Sequence, residues 1–233
     1  MLLDIEIKYA KKSFNNKVVL DVANVEIKSN NIYALVGMNG SGKSTLINGL
    51  AGVEKFTESE VYYDGKSLEE SRENISLMLQ NYYIFNDTAK NNILFPVKYA
   101  KNNKIDFQKN LEKYLKFFPI ESILNKNARK LSGGEKAKVA LLRTDIKETA
   151  LVILDEPTNN MDVDGILNTE KLIKYLKEIG KTIILITHNV IQVEKTADHI
   201  IFMDKGKVIE NIETENITDN FDNLYLKNLL KTL

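Results

Sequence analysis

The chain has 233 residues, enough for one substantial domain or a domain with a smaller lobe. Its 32 basic and 32 acidic side chains cancel, so no global field draws it to nucleic acid or anionic lipid, and nucleic acid is not an expected partner. A hydrophobic content of 43% with no cysteine describes an ordinary globular chain without disulfides or thiolate metal sites, as fits a reducing compartment.

The opening residues MLLDIEIKYAKK carry charges inside their apolar stretch and lack a signal-peptide core. The longest apolar runs, LVIL and IILI, fall far short of the roughly 20 residues that span a bilayer, so the chain is not expected to cross a membrane by itself. Alternating apolar and polar residues in LLDIEIKYA and VANVEIK predict antiparallel strands with one exposed face. IYALVG (32–37) is nearly continuous in apolar character and ends in glycine, as a buried parallel strand does. SGKSTLINGLAG follows as a helix that ends at a glycine, and the Asp-Gly pair in EVYYDGKSL predicts a hairpin. From Thr88 to Lys130 the pattern changes: FQKNLEKYLKFF has helical spacing between prolines and asparagine-rich turns, which predicts a separate helical lobe. Helix EKAKVALLRTDI, strand LVILDE, helix ILNTEKLIKYLKEIG, strand TIILITH, helix VIQVEKTADH and hairpin IIFMDKGKVIE then restore α/β alternation and a mostly parallel sheet. A short tail from Asn211 holds FDNLYLKNLL, which reads as an amphipathic helix.

Two stretches carry chemistry. Gly37-Met38-Asn39-Gly40-Ser41-Gly42-Lys43-Ser44 matches the phosphate loop G-x-x-x-x-G-K-[ST], with a strand before it and a helix after it. Its glycines let backbone N–H groups face phosphate oxygens; Lys43 would reach the β and γ phosphates, Ser44 would hold Mg²⁺, and Thr45 follows at the start of the helix. LVILDEPT places Asp155 and Glu156 at the end of a buried strand, where an aspartate holds Mg²⁺ and the adjoining glutamate can polarise the attacking water. Leu131-Ser132-Gly133-Gly134-Glu135 opens a helix with small residues suited to a phosphate but supplies no lysine of its own.

GMNGSGKS, LSGGE, LVILDE and ITH, in this order, resemble the ATP-binding cassette family, the motor subunits of ABC transporters, from the first strands to about Glu210. The resemblance implies an α/β fold: a phosphate-loop NTPase core with a mostly parallel sheet, an N-terminal antiparallel β subdomain and a helical subdomain. It divides a single cassette into a core at 1–87 and 131–210, a helical subdomain at 88–130 and a tail at 211–233. It further implies head-to-tail pairing with a second cassette, identical or homologous, in which Ser132, Gly133 and Gly134 face the phosphates held by the partner. Matched one by one, Gln80 looks like the glutamine that touches Mg²⁺ and water, Asp162 like the aspartate that crosses the dimer interface, and His188 like the histidine on the γ-phosphate. Phe14 matches the aromatic that stacks on adenine, where the family usually has tyrosine. His199 is expected to be structural. Other departures are Asn160-Met161 in place of a small residue and leucine, Glu135 in place of glutamine, and EKAK without the usual arginines.

The resemblance implies an ATPase using ATP and Mg²⁺ that drives separate membrane-spanning subunits from the cytoplasmic face of the membrane. The aromatic stretch 81–85 is either their docking surface or core packing. The compact form looks like an importer subunit, with an extracytoplasmic solute-binding protein as a further partner. The phosphate-loop region and THNV…ADHIIFMDKGKVIE are similar to oxyanion importers, tungstate-type ones included. Two alternatives are an exporter subunit and a soluble translation-type ATPase, the latter resembled by EPTNN and SGGEKAK.

Overall fold

A computed structural model describes residues 3–100 and 106–216. Strand β1 (Ile5–Phe14) turns at Asn15-Asn16, both in the left-handed region, into β2 (Lys17–Ile27). Asparagine tolerates positive φ well, which makes this pair a good two-residue hairpin turn. Strand β3 (Ile32–Val36) leads into the phosphate loop and helix α1 (Lys43–Leu50). Strand β4 (Glu58–Tyr63) pairs with the free edge of β1, giving a three-stranded antiparallel sheet in the order β2-β1-β4. The Asp64-Gly65 turn after β4 closes only the single bridge Tyr63–Lys66. The expected hairpin stops there because Ser67 and Glu70 form a reciprocal cap for α2 (Leu68–Ser71). Strand β5 (Ile75–Met78) follows.

The described residues between 89 and 130 are helical but broken into short pieces. These are α3 (Ala89–Leu94), α4 (Phe107–Leu115) and 3₁₀ turns at Phe95–Tyr99, Glu121–Ile123 and Ala128–Lys130. Helix α5 (Gly133–Asp145), strand β6 (Leu151–Asp155), helix α6 (Val163–Glu178), strand β7 (Thr182–Ile186) and helix α7 (Val190–Thr196) complete the alternation. Strands β8 (His199–Asp204) and β9 (Lys207–Glu213) form the closing hairpin, so the sheet extends past residue 210 into the expected tail. The helix expected at 221–230 lies outside the described residues.

The main sheet runs β5-β6-β7-β3-β8-β9, parallel except for β9. Its central strands are buried on both faces, which explains their unbroken apolar runs. Ala34, Leu154, Leu185 and Phe202 point to one face, under the helices and the 89–130 segment, whose Ile93, Leu111 and Phe118 join the same apolar cluster. Leu35, Ile153, Ile186 and Met203 point to the other, where α1 (Leu46, Ile47, Leu50) and the small sheet (Ile5, Ile7, Val22) cover them. His199 stacks on Tyr33 at 4.7 Å between ring centres, a structural placement. The stretch 81–85 divides its duties: Tyr82 and Ile84 pack on the core, whereas Tyr83 is 61% exposed. Among the described residues no helix is long and apolar enough to cross a membrane.

Candidate functional site

Strands β5, β6, β7 and β3 are neighbours in the sheet, and the chain leaves the carboxyl end of each through a chemically marked segment. In open α/β sheets that edge is where ligands bind. Gln80 follows β5, Glu156 follows β6, His188 follows β7 and the phosphate loop follows β3. Together they line a cavity of about 560 Å³ with Asn39, Gly40, Ser41, Gly42, Lys43, Ser44, Thr45 and Asp155. A larger cavity of about 670 Å³ opens at the opposite edge, by Asn31 and His199. Glu194, Asp198, Glu213 and Glu215 line it, so its field is unfavourable to phosphate.

The loop is shaped by tight backbone approaches. A Cβ on Gly37 would stand 2.2 Å from the Met203 carbonyl oxygen, so only glycine fits where β3 ends. Lys43, 8% exposed, donates to the Gly37 carbonyl at 2.6 Å and the Met38 carbonyl at 3.1 Å. Burial pushes its ammonium below the usual lysine range, while the charges of Asp155 and Glu156 pull it back. Asp155 is 5% exposed; burial and then Glu156 hold its carboxyl above the usual carboxylate range, against Lys43 and the Gln80 backbone N–H.

Glu156 sits in the left-handed region at φ 49°, its N–H bonded to the Ile186 carbonyl at 2.9 Å. That strained turn lifts its carboxylate off the strand and into reach of three side chains. His188 Nε2 lies 2.8 Å from one oxygen, Gln80 Nε2 donates to the other at 2.8 Å, and Asn159 Nδ2 donates to that same oxygen. With Gln80 Nε2 donating to Glu156, its Oε1, the only amide atom with lone pairs to offer, is the one that can meet a cation.

Two tests bear on a nucleotide with its metal. The Ser41 hydroxyl is buried within the loop without a hydrogen-bond partner, a group that an anion's oxygens would satisfy. Ser44, Asp155 and Gln80 offer hard oxygen donors to the same cavity, the kind that suit Mg²⁺. Among the described residues no group of three or more His, Cys, Asp or Glu could hold a metal alone, so a cation here would have to share its ligands with phosphate and water. The residues present fit the group.

Not every expected residue converges. Phe14, 50% exposed at the end of β1, does not line the cavity; Val19 of the same hairpin does. The Lys12 ammonium lies 4.9 Å from the centre of the Phe14 ring and engages it as a cation–π pair. Ser132 and Gly133 are exposed and, with Gly134, lie outside the cavity of their own chain. Ser132 caps α5 through a reciprocal box: its hydroxyl accepts from the Glu135 N–H at 3.3 Å, and Glu135 accepts from the Ser132 N–H at 2.8 Å. Glutamate at the fifth position thus has a local role, and the Ser132 N–H holds its carboxyl below the usual range. Asp162 caps α6 by accepting from the Gly165 N–H at 2.8 Å and faces Lys138 of α5 at 3.4 Å. Sequence reasoning missed Val19, Ile186 and Asn159. Only Asn159, in the turn just past Glu156, left a signal that could have been followed.

Comparison with known proteins bears on what this geometry serves. The ABC transporter family model matches residues 20–159, more than half of the chain. The tungstate uptake system ATP-binding protein TupC of Peptoclostridium acidaminophilum is 32% identical over 209 residues, covering 89% of this chain and 98% of that protein. The methionine import ATP-binding protein MetN 1 of Oceanobacillus iheyensis is 30% identical over 243 residues, covering 98% and 72% respectively. Among solved structures, cbiO1 of Clostridium perfringens, described as part of the ABC transporter complex cbiONQ, superposes with TM-score 0.78 at 27% identity, covering 91% of this chain and 89% of that one. An ATP-binding subunit of an ABC transporter gives TM-score 0.83 at 23% identity, covering 93% and 92%. A bacterial Atm1-family exporter gives 0.85 at 20%, covering 100% of this chain and 42% of that one; the last two likenesses show the fold alone. The chain belongs to the ABC transporter ATP-binding family and is an ATPase subunit of that class.

Proposed function

We propose that this ATPase drives the import of a small solute, an oxyanion of the tungstate type, through separate membrane-spanning subunits. The observation that carries the solute is the tungstate-uptake relative, matched over nearly its whole length. Lys43 and the loop N–H groups bind the β and γ phosphates, and Ser44, Asp155 and Gln80 Oε1 hold Mg²⁺, which neutralises phosphate charge when bound. Glu156 accepts the proton of the attacking water, and His188 holds the carboxylate and meets the γ-phosphate. Phe14 offers its open face to the adenine. A second cassette brings its Ser132-Gly133-Gly134 helix start to the phosphates, and Asp162 borders that junction. The membrane subunits dock on the groove lined by Leu79, Tyr83, Phe85, Phe95 and Arg143, where Phe85 stacks on Phe95 and the Arg143 guanidinium. Held there, the chain works at the cytoplasmic face, and a solute-binding protein delivers the cargo from outside.

Replacing Glu156 by Gln in the source cell and measuring uptake of tungstate, molybdate and methionine tests this. Selective loss of oxyanion uptake supports the proposal. Loss of methionine uptake alone would transfer the chain to the solute of its second relative. Unchanged uptake of all three, or ribosomal proteins instead of a membrane protein co-purifying with the tagged chain, would overturn it.

A further inference from the structure

Three side chains meet the Glu156 carboxylate, and two of them have other work. Gln80 and His188 line the cavity themselves, so substrate, water or metal competes for their polar atoms. Asn159 does not line it. Its amide nitrogen donates to Glu156 Oε2, and its backbone N–H closes the turn by donating to the Glu156 carbonyl at 3.2 Å.

The turn that carries Asn159 is fixed from three sides. Met161 N–H donates to the Thr158 carbonyl at 3.1 Å, and Asp162 ties the end of the segment to the first turn of α6. From outside, the start of α5 presses on Asn160: a Cβ on Gly134 would stand 3.0 Å from the Asn160 carbonyl oxygen, and one on Gly133 would stand 3.4 Å from the Asn160 Cβ. Lys138 of the same helix reaches Asp162. An isolated glutamate side chain has three rotatable bonds, and ordering it costs conformational entropy. A donor on a braced backbone removes that freedom beforehand.

We propose that Asn159 is a positioning residue for hydrolysis: it holds Glu156 aimed into the cavity while Gln80 and His188 engage the substrate. The proposal rests on the reading of Glu156 as the base.

The test is steady-state ATPase kinetics on the full chain with Asn159→Ala, Glu156→Gln and the double variant. Asn159→Ala should lower kcat about tenfold, the scale of a misplaced catalytic group, and leave KM for ATP within about twofold. On the Glu156→Gln background, Asn159→Ala should cause no further loss, because a residue acting through Glu156 has nothing left to position. Asn159→Asp keeps the shape of the turn and replaces the donor with a second carboxylate, and should lower kcat at least as much with an unchanged melting temperature. Wild-type kcat in both single Asn159 variants, or a full multiplicative loss in the double variant, would overturn the proposal. Normal turnover in Glu156→Gln would instead remove the reading beneath it, so the two failures are distinguishable.

Discussion

A Cβ on Gly206 would stand 2.4 Å from the Val19 carbonyl oxygen, and the residue sits at φ +81°. Its carbonyl accepts from Asp21 of β2 at 2.8 Å, and its N–H donates to the Ser41 carbonyl of the phosphate loop at 2.9 Å. One turn residue thus joins the small sheet, the closing hairpin and the phosphate grip. Gly206→Ala should cost about 1–3 kcal/mol from strain at a left-handed, crowded position, read from urea unfolding, and should weaken ATP binding severalfold. Gly65→Ala is the control. It shares a positive φ of 74°, but nothing lies within 4 Å of its added Cβ, so it should cost about 1 kcal/mol and leave ATP binding alone. The contrast also shows what the sequence could convey. Lys43, Asp155, Glu156 and His188 were legible because each belongs to a short pattern whose chemistry depends on its immediate neighbours. Gly206 read only as part of a hairpin, and Val19 drew no reading, because their work depends on an approach between distant segments that no local spacing encodes.

At the scale of elements, the tie between the helical stretch and the sheet is a buried polar cluster. Lys181, just before β7, donates to both oxygens of Asp145 at 2.7 and 2.9 Å and to the Thr149 carbonyl at 2.9 Å. The Tyr114 hydroxyl of α4 donates to the same carboxylate at the end of α5. Burial pushes the Asp145 carboxyl up and the Lys181 ammonium down, so each charge persists through the other. Lys181→Met should therefore destabilise the chain by about 3–5 kcal/mol, leaving Asp145 buried and uncompensated. Adding Asp145→Leu should restore most of that loss, and urea midpoints of the two variants check both statements. This cluster explains why 88–130 looked self-contained in sequence. Its helical spacing was visible, but the partners of Tyr114 and Leu111 lie in α5 and the sheet, beyond any local window. The Asp64-Gly65 hairpin failed for the same kind of reason: the turn formed as the dipeptide predicts, while β4 found its partner in β1 rather than in the residues after the turn.

For the whole molecule, one chain holds a phosphate loop and a second glycine-rich helix start, and the two do not meet. Lys43, Ser44 and Asp155 line the cavity at the carboxyl edge of the sheet, whereas Ser132, Gly133 and Gly134 lie outside it, leaving Ser132 and Gly133 open to solvent. A capped helix start without a cation is a weak anion site alone; facing a nucleotide already gripped by a lysine, it adds N–H donors where charge accumulates. On the proposed reading such a molecule completes its site with a second cassette, and complementation tests this directly. A Lys43→Ala chain lacks the grip but keeps its helix start; a Ser132→Arg chain keeps the grip but blocks its helix start. Each alone should lack ATPase activity. Mixed, they should regain it, because the helix start of the first chain completes the site of the second. A folded Ser132→Arg chain as active alone as the wild type would mean that each 26.5 kDa chain works within its own cavity and that the exposed helix start serves only to cap α5.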